Sequence, residues 1–153
     1  MTAIKKKSEI KNTDNNTMHA ASLHLSDAPI GVFDSGVGGL TVAREVMRQL
    51  PDERIVYFGD TARLPYGTKS QDTVIRFSEQ IMRFLRSKGV KAIVIACNTA
   101  SSYALDALRR SEDIPIIGVI NAGARAAVSA TKNGRIGVIG TDGTINSKAY
   151  SSV

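Results

Sequence analysis

Short, continuous apolar runs recur along the chain, and stretches with helical periodicity separate them. The runs cover residues 30–33, 55–58, 92–96, 114–120 and 135–139. A strand that is buried on both faces has such an unbroken run, whereas a strand with one solvated face alternates apolar and polar residues. Because parallel neighbours need a crossover between them, the order strand–helix–strand predicts an α/β fold. We expect a doubly wound parallel sheet with helices on both faces.

The helices between these runs are marked by their periodicity and by their ends. They are predicted over residues 40–50, 71–88, 98–110 and 122–130. Ser70 is placed to cap the second of these helices, and Gly89 suits the left-handed position that follows its last turn. Residues 1–28 are polar and show no sustained period, so we expect a disordered N-terminal extension. His19 and His24 lie in it without the spacing of a metal site.

Composition and charge make several classes of function unexpected for this sequence. The net charge is +6, but aromatic residues make up 5% of the chain and do not interleave with the basic ones, so no nucleic-acid platform is expected. The longest apolar run, residues 92–97, is too short to cross a bilayer, and no membrane association is expected. One cysteine excludes an intramolecular disulfide framework, which makes a reducing cytoplasm the expected location.

Polar side chains follow the predicted strands where the strands end. Asp34 and Ser35 follow the first strand, Asp60 the second, and Cys97, Asn98 and Thr99 the third. In doubly wound folds ligands bind at the carboxyl ends of the strands. A helix N-terminus after Cys97 favours a thiolate, which would be a nucleophile or a base. The alternative is an inert buried cysteine at the end of a strand.

The glycine-rich turn that begins at Asp34 allows two interpretations. In the first, the glycines let the backbone approach a ligand closely while Asp34 binds an ammonium group or assists a base. In the second, the turn belongs to a dinucleotide-binding unit with Gly36 and Asp60 as its contacts. That pattern requires G-x-G-x-x-G, and Thr41 occupies the place of the third glycine. Asp34 also suits a purely structural role at a helix N-terminus.

Two further stretches carry polar groups suited to a ligand. Tyr66 and Gly67 lie in the loop after the second strand, where a simple turn is the alternative interpretation. Hydroxyl residues then recur at a spacing of three, and the first of them is placed to cap a short helix. These residues are Thr141, Thr144, Ser147 and Tyr150.

Taken in order, the segments FDSGVGG, YFGDTARLPYG, AIVIACNTAS and GTxxTxxSxxY resemble the N-terminal half of the glutamate racemase family within the aspartate/glutamate racemases. The resemblance covers residues 29–150. It implies a cofactor-independent reaction, without pyridoxal phosphate or metal, in which one cysteine removes the Cα proton of glutamate and a second returns a proton from the opposite face. The physiological product implied is D-glutamate for peptidoglycan, made by a homodimer.

Matching the motifs residue by residue assigns roles. Cys97 corresponds to the base that acts on the D enantiomer, and Asp34 to the acidic residue beside it. The residues implied to hold substrate are Asp34, Ser35, Tyr66, Gly67, Asn98, Thr99 and Thr144. Thr141 belongs to the same region, with Thr144 the better candidate of the two.

The chain departs from the family in the number of its thiols. The second catalytic cysteine, in a motif similar to G-C-T-H, is expected beyond Val153, and Cys97 is the only cysteine in the sequence. The resemblance implies two pseudo-symmetric lobes, with residues 29–122 forming most of the first and residues 123–153 opening the second. We therefore expect the 153-residue polypeptide alone to be inactive and poorly stable. Aspartate racemisation and nucleotide binding are the alternative functions.

Overall fold

The computed structural model describes residues 27–153, so the predicted extension lies almost wholly outside the described residues, as do His19 and His24. The strands of this part are β1 (Ile30–Asp34), β2 (Ile55–Gly59), β3 (Ala92–Ile95) and β4 (Ile116–Gly118). The α-helices are α1 (Leu40–Gln49), α2 (Gln71–Ser87), α3 (Asn98–Tyr103), α4 (Leu105–Ser111), α5 (Val119–Ala130) and α6 (Asp142–Asn146). A 3₁₀ helix, Ala149–Ser152, follows.

The strands form one parallel sheet in the order β2-β1-β3-β4. The register pairs Asp34 with Gly59 and Phe33 with Ile95, so the carboxyl ends of the three longest strands lie at one edge. The crossover through α1 leads from β1 to β2 on one side of β1. The crossover through α2 leads back past β1 to β3 on its other side. Right-handed crossovers in opposite directions place their helices on opposite faces. The predicted doubly wound α/β fold is thereby confirmed.

Side-chain alternation along β1 divides the core between the two faces of the sheet. Ile30 and Val32 pack on the α1 side with Ala43. Phe33 points to the other side, where a larger cluster includes Leu85 of α2 and Leu108 of α4. Burial of side chains this size stabilises a fold by about 1.5–3 kcal/mol each. The larger cluster contains most of the buried apolar side chains that stabilise the sheet.

The helix ends follow the local chemistry. The Ser70 hydroxyl accepts a hydrogen bond from the Thr73 N–H at the start of α2, and Gly89 has φ +70° just beyond its end, as predicted. The single helix predicted over residues 98–110 is instead two helices. Ala104, with φ −108° and ψ −19°, separates α3 from α4. No helix in residues 27–153 is long and apolar enough to cross a membrane.

The fourth predicted strand is shorter than expected, because a helix begins inside it. β4 ends at Gly118, and α5 begins at Val119 rather than at residue 122. The Ser101 hydroxyl accepts a hydrogen bond from the Val119 N–H at 3.3 Å and so satisfies an amide of the first helical turn. A Cβ on Gly118 would lie 3.1 Å from the Ser101 oxygen, so a larger residue there would require Ser101 to shift.

The fifth predicted strand is absent from the described chain, and that prediction is wrong. Residues 135–139 form neither strand nor helix. Ile136 is 44% exposed, Val138 is 42% exposed, and Ile139 is 98% exposed. A strand needs a neighbour for its backbone hydrogen bonds, and no described residue pairs with this segment in the sheet. Apolar composition predicted the strand, but a ladder partner decides whether one forms.

Candidate active site

The candidate site lies where the chain changes direction in the sheet. β1 and β3 are neighbours, and the helices that follow them cover opposite faces. Such a switch point leaves a crevice at the carboxyl ends of the two strands, which is where ligands bind in open α/β sheets. An open cavity of about 520 Å³ occupies this position. The predicted site residues that line it are Asp34, Ser35, Cys97, Asn98 and Thr99.

Cys97 sits between the end of β3 and the start of α3. Its sulfur accepts a hydrogen bond from the Ala100 N–H at 3.4 Å and thus caps the helix. The thiol lies 3.4 Å from the Ser35 hydroxyl oxygen, to which it donates. The side chain is 6% exposed, and that exposure is at the cavity. These contacts fix the sulfur at the cavity wall.

Asp34 is buried at the end of β1, and its carboxylate is held by the loop that follows it. One carboxylate oxygen accepts hydrogen bonds from the Gly36 N–H at 3.1 Å and the Gly39 N–H at 3.0 Å. In a phosphate-binding loop, amides of this kind point at the ligand. Here they donate to the protein's own carboxylate. This geometry argues against the dinucleotide interpretation and favours a loop built to orient Asp34.

The loop after β1 is tightly packed on its neighbours. A Cβ on Gly39 would lie 2.5 Å from the Asp34 Cβ, so only glycine fits that approach. The Tyr57 hydroxyl donates to the Gly36 carbonyl at 3.0 Å. Burial raises the pKa of Tyr57, and the nearby charges of Asp34 and Cys97 raise it further. Tyr57 therefore remains a neutral donor that fixes the loop.

A cluster of threonine hydroxyls joins α3 to the start of α6. The Thr99 and Thr141 oxygens are 2.9 Å apart, and the Thr141 and Thr144 oxygens are 3.1 Å apart. Thr141 caps α6 as predicted, through its hydroxyl and the Thr144 N–H. Thr141 lines the cavity, whereas Thr144 is 3% exposed and lies behind it. The geometry thus favours Thr141 over Thr144 as the residue that faces a ligand.

Tyr66 and Gly67 lie behind the cavity wall rather than on it. Tyr66 is 2% exposed, and its hydroxyl donates to the buried carboxylate of Asp60. Burial, followed by this hydrogen bond, raises the pKa of Tyr66 well above its usual value of about 10. The Gly67 carbonyl accepts from the Gly143 N–H at 3.2 Å. Gly67 therefore supports the wall that carries Thr141, whereas the Tyr66 hydroxyl contacts Asp60.

Tyr150 was not among the residues implied to hold substrate, although its side chain lies at the cavity. Tyr150 lines the cavity, and its hydroxyl donates to the Asn98 side-chain oxygen at 2.7 Å. The sequence signal was the run of hydroxyl residues at a spacing of three, which does not show what the last of them contacts. Within residues 27–153, no group of three or more His, Cys, Asp or Glu side chains is arranged to hold a metal ion.

Comparison with known proteins identifies a family that this chain matches. Residues 30–153 match the family model described as Asp/Glu/Hydantoin racemase. The chain is 61% identical over 121 residues to a glutamate racemase of Persephonella marina, covering 79% of this chain and 47% of that protein. It is 58% identical over 122 residues to one of Geobacter metallireducens, covering 80% and 45%. The chain thus spans about half the length of the curated relatives it matches.

Solved structures of glutamate racemases are also similar to this chain. The glutamate racemase isoform RacE1 of Bacillus anthracis superposes with a TM-score of 0.80 at 54% identity, covering 82% of this chain and 47% of that one. The glutamate racemase of Francisella tularensis, solved in complex with D-glutamate, superposes with a TM-score of 0.75 at 50% identity, covering 82% and 47%.

Proposed function

The chain belongs to the Asp/Glu/Hydantoin racemase family, and from this premise we propose that it carries one catalytic face of a glutamate racemase active site. The observation that carries the proposal is the position of the Cys97 thiol, which lies at the switch-point cavity beside Ser35 and the Asp34 loop. Glutamate is the proposed substrate because the similar proteins are glutamate racemases.

Cys97 is the proposed base. Its thiolate takes the proton from Cα of D-glutamate, so that an S–H bond forms and the Cα–H electron pair is delocalised into the substrate's carboxylate. The Ala100 N–H and the Ser35 hydroxyl contact the sulfur and hold it at the wall. Asp34 is proposed to bind the substrate ammonium group, since its oriented carboxylate lines the same cavity. A general base must reach the proton it removes, which is why a fixed sulfur matters.

The remaining wall is proposed to bind the carboxylates of glutamate. Asn98 supplies amide N–H donors, and Ser35, Thr99 and Thr141 supply hydroxyls around the cavity. Tyr66, Gly67 and Thr144 are proposed to act by supporting this wall. Neutral and ordered donors at fixed positions suit carboxylate recognition, because charge-assisted hydrogen bonds of this kind are strong.

Inversion at Cα needs a base on one face and an acid on the other. We therefore propose the two-thiol mechanism for the complete active site, with Cys97 as one thiol. The 153-residue polypeptide has one cysteine, so it is proposed to be inactive as a racemase by itself. Residues 29–122 and 123–153 are proposed to belong to different lobes. From the resemblance, we also propose a cytoplasmic homodimer that supplies D-glutamate for peptidoglycan.

Ligand class is tested by calorimetric titration of the 153-residue chain with D-glutamate, L-glutamate, D-aspartate, NAD and ATP. We expect binding of glutamate in preference to aspartate and to both nucleotides. The Asp34→Asn variant keeps the size of the side chain but removes its charge, and it should weaken glutamate binding through the ammonium group. Binding of NAD or ATP that survives this change, without glutamate binding, would favour the nucleotide alternative.

The role of Cys97 is tested by hydrogen exchange at Cα. In D₂O, a single base removes the proton and returns a deuteron to the same face, so exchange proceeds with retention. We expect NMR to show Cα–H exchange for D-glutamate, lost in Cys97→Ser, without steady formation of L-glutamate. Steady racemisation by the 153-residue chain would contradict its proposed inactivity. Exchange at an equal rate in Cys97→Ser would refute the base assignment.

A further inference from the structure

The hydroxyl of Tyr150 reaches a side chain far away in sequence. It belongs to the 3₁₀ helix Ala149–Ser152, and it donates to the side-chain oxygen of Asn98 at 2.7 Å, across 52 positions of sequence. Asn98 is the first residue of α3, directly after Cys97, and its side chain is exposed at the cavity. The contact therefore joins the last described element to the wall that carries the thiol.

A carboxamide has two different ends, and this hydrogen bond distinguishes them. The oxygen only accepts hydrogen bonds, whereas the nitrogen donates two. Because the Tyr150 hydroxyl donates to the oxygen, the amide nitrogen of Asn98 is left facing away from the tyrosine. The terminal torsion of asparagine is otherwise broad, so an exposed carboxamide samples both orientations. A partner that donates to the oxygen selects the orientation that presents N–H groups to an anion.

Several contacts place the Tyr150 ring where it can do this. Lys148, with φ +55°, turns the chain in the left-handed region directly before the 3₁₀ helix. The Ser147 hydroxyl accepts from the Ala149 N–H at 3.2 Å and donates to the Thr144 carbonyl at 2.7 Å, which ties this turn to α6. A Cβ on Gly123 would lie 3.4 Å from the Tyr150 hydroxyl oxygen, so the tyrosine also borders α5.

We propose that Tyr150 is a positioning residue that fixes the Asn98 carboxamide with its N–H groups toward the cavity, ready for a substrate carboxylate. The proposal rests on the proposed function for the identity of that carboxylate. Tyr150 acts through Asn98 and transfers no proton. Its contribution is to remove the wrong orientation of the amide before substrate binds, which reduces the ordering cost of binding.

The first test uses the free chain and needs no ligand. In the ¹⁵N-labelled 153-residue protein, the two side-chain amide protons of Asn98, assigned with Asn98→Asp, should be well dispersed in the wild type. In Tyr150→Phe they should move to the shifts of a solvent-exposed asparagine. Tyr103→Phe is the matched control, since Tyr103 lies on the same helix as Asn98 but does not line this cavity. Unchanged Asn98 signals in Tyr150→Phe would overturn the proposal.

The second test measures D-glutamate affinity in a double-mutant cycle. Tyr150→Phe should weaken binding about 3- to 10-fold, the range expected from one net hydrogen bond. In the Asn98→Ala background the same change should have no further effect, because the group it orients is gone. A purely structural role would instead lower the free energy of unfolding and leave the affinity for D-glutamate unchanged.

The two tests separate this proposal from the proposed function. If the wild-type chain binds no glutamate, the proposed function fails, and the Asn98 amide signals still decide whether Tyr150 orients that side chain. If the wild type binds and Tyr150→Phe binds equally well, the positioning role is refuted while the proposed function stands.

Discussion

The two walls of the cavity are built in different ways. One wall belongs to the sheet region, residues 30–118, where Val32, Phe33 and Ile95 are fully buried. The other belongs to the terminal segment, residues 131–153, in which Gly143 and Thr144 are buried and most other residues are exposed. The first wall has a hydrophobic core of its own, and the second does not. A site built across both is therefore only as well ordered as its weaker wall.

The terminal segment is held to the sheet region by a small set of polar contacts. The Gly143 N–H donates to the Gly67 carbonyl, the Thr141 hydroxyl pairs with that of Thr99, and Tyr150 pairs with Asn98. Each such bond contributes about 0.5–1.5 kcal/mol net. Elements with few buried apolar contacts open locally at a lower free energy than the core. We therefore expect the segment to open while the sheet stays folded.

The largest expected difference between the regions is in their response to loss of an apolar side chain. Leu85 is fully buried in the larger cluster, and Leu85→Ala should lower the free energy of unfolding by about 2–5 kcal/mol. Val138 in the terminal segment is 42% exposed. Val138→Ala should therefore change the free energy of unfolding by less than about 0.5 kcal/mol. Urea denaturation followed by circular dichroism measures both. Equal losses of unfolding free energy in the two variants would contradict the expected difference between the two regions.

A smaller effect is expected at the junction of the two regions. A Cβ on Gly67 would lie 2.4 Å from the Thr141 Cβ, so Gly67→Ala forces the walls apart. The strain of such overpacking is about 1–3 kcal/mol, and we expect the less stable wall to yield. Amide hydrogen exchange should therefore accelerate in α6, with little change in β1 and β3.

The control for that experiment is Gly137→Ala. A Cβ at Gly137 has no heavy atom within 4 Å, so this change should leave exchange in α6 unaltered. Faster exchange in the sheet rather than in α6 after Gly67→Ala would mean that the terminal segment is the more rigid wall, which would reverse the comparison.

The same division explains what the sequence could predict. Strands β1, β2 and β3 carry unbroken apolar runs and find partners within the sheet region, so pattern and structure agree. Residues 135–139 carry a similar run, but a strand also needs a backbone partner, and the described chain provides none. The early start of α5 depends on the Ser101 hydroxyl, a contact that no local pattern reveals.

Side-chain placement at the site shows the same limit. The ends of β1 and β3 follow from topology, so Asp34 and Cys97 were predicted at one cavity and are found there. Tyr66 was assigned from a motif, and motif position does not reveal that its hydroxyl turns to Asp60 behind the wall. The contact of Tyr150 with Asn98 joins two regions through a long-range pairing, which the local spacing of hydroxyl residues cannot specify.

The smallest effect on stability is expected at Tyr66, in the sheet region next to Gly67. Tyr66→Phe removes the hydroxyl that donates to Asp60 and should cost about 1 kcal/mol at pH 7, because Arg63 still pairs with that carboxylate at 2.7 Å. The raised pKa of Tyr66 also makes this contribution depend on pH. It is fully present below about pH 10, where tyrosine in the unfolded chain is protonated, and it is lost as the pH rises further. The stability difference between wild type and Tyr66→Phe, measured by urea denaturation at pH 7, 9 and 11, should therefore shrink at the highest pH. A constant difference would mean that the hydrogen bond to Asp60 does not raise the pKa of Tyr66 and does not hold its hydroxyl in the neutral form.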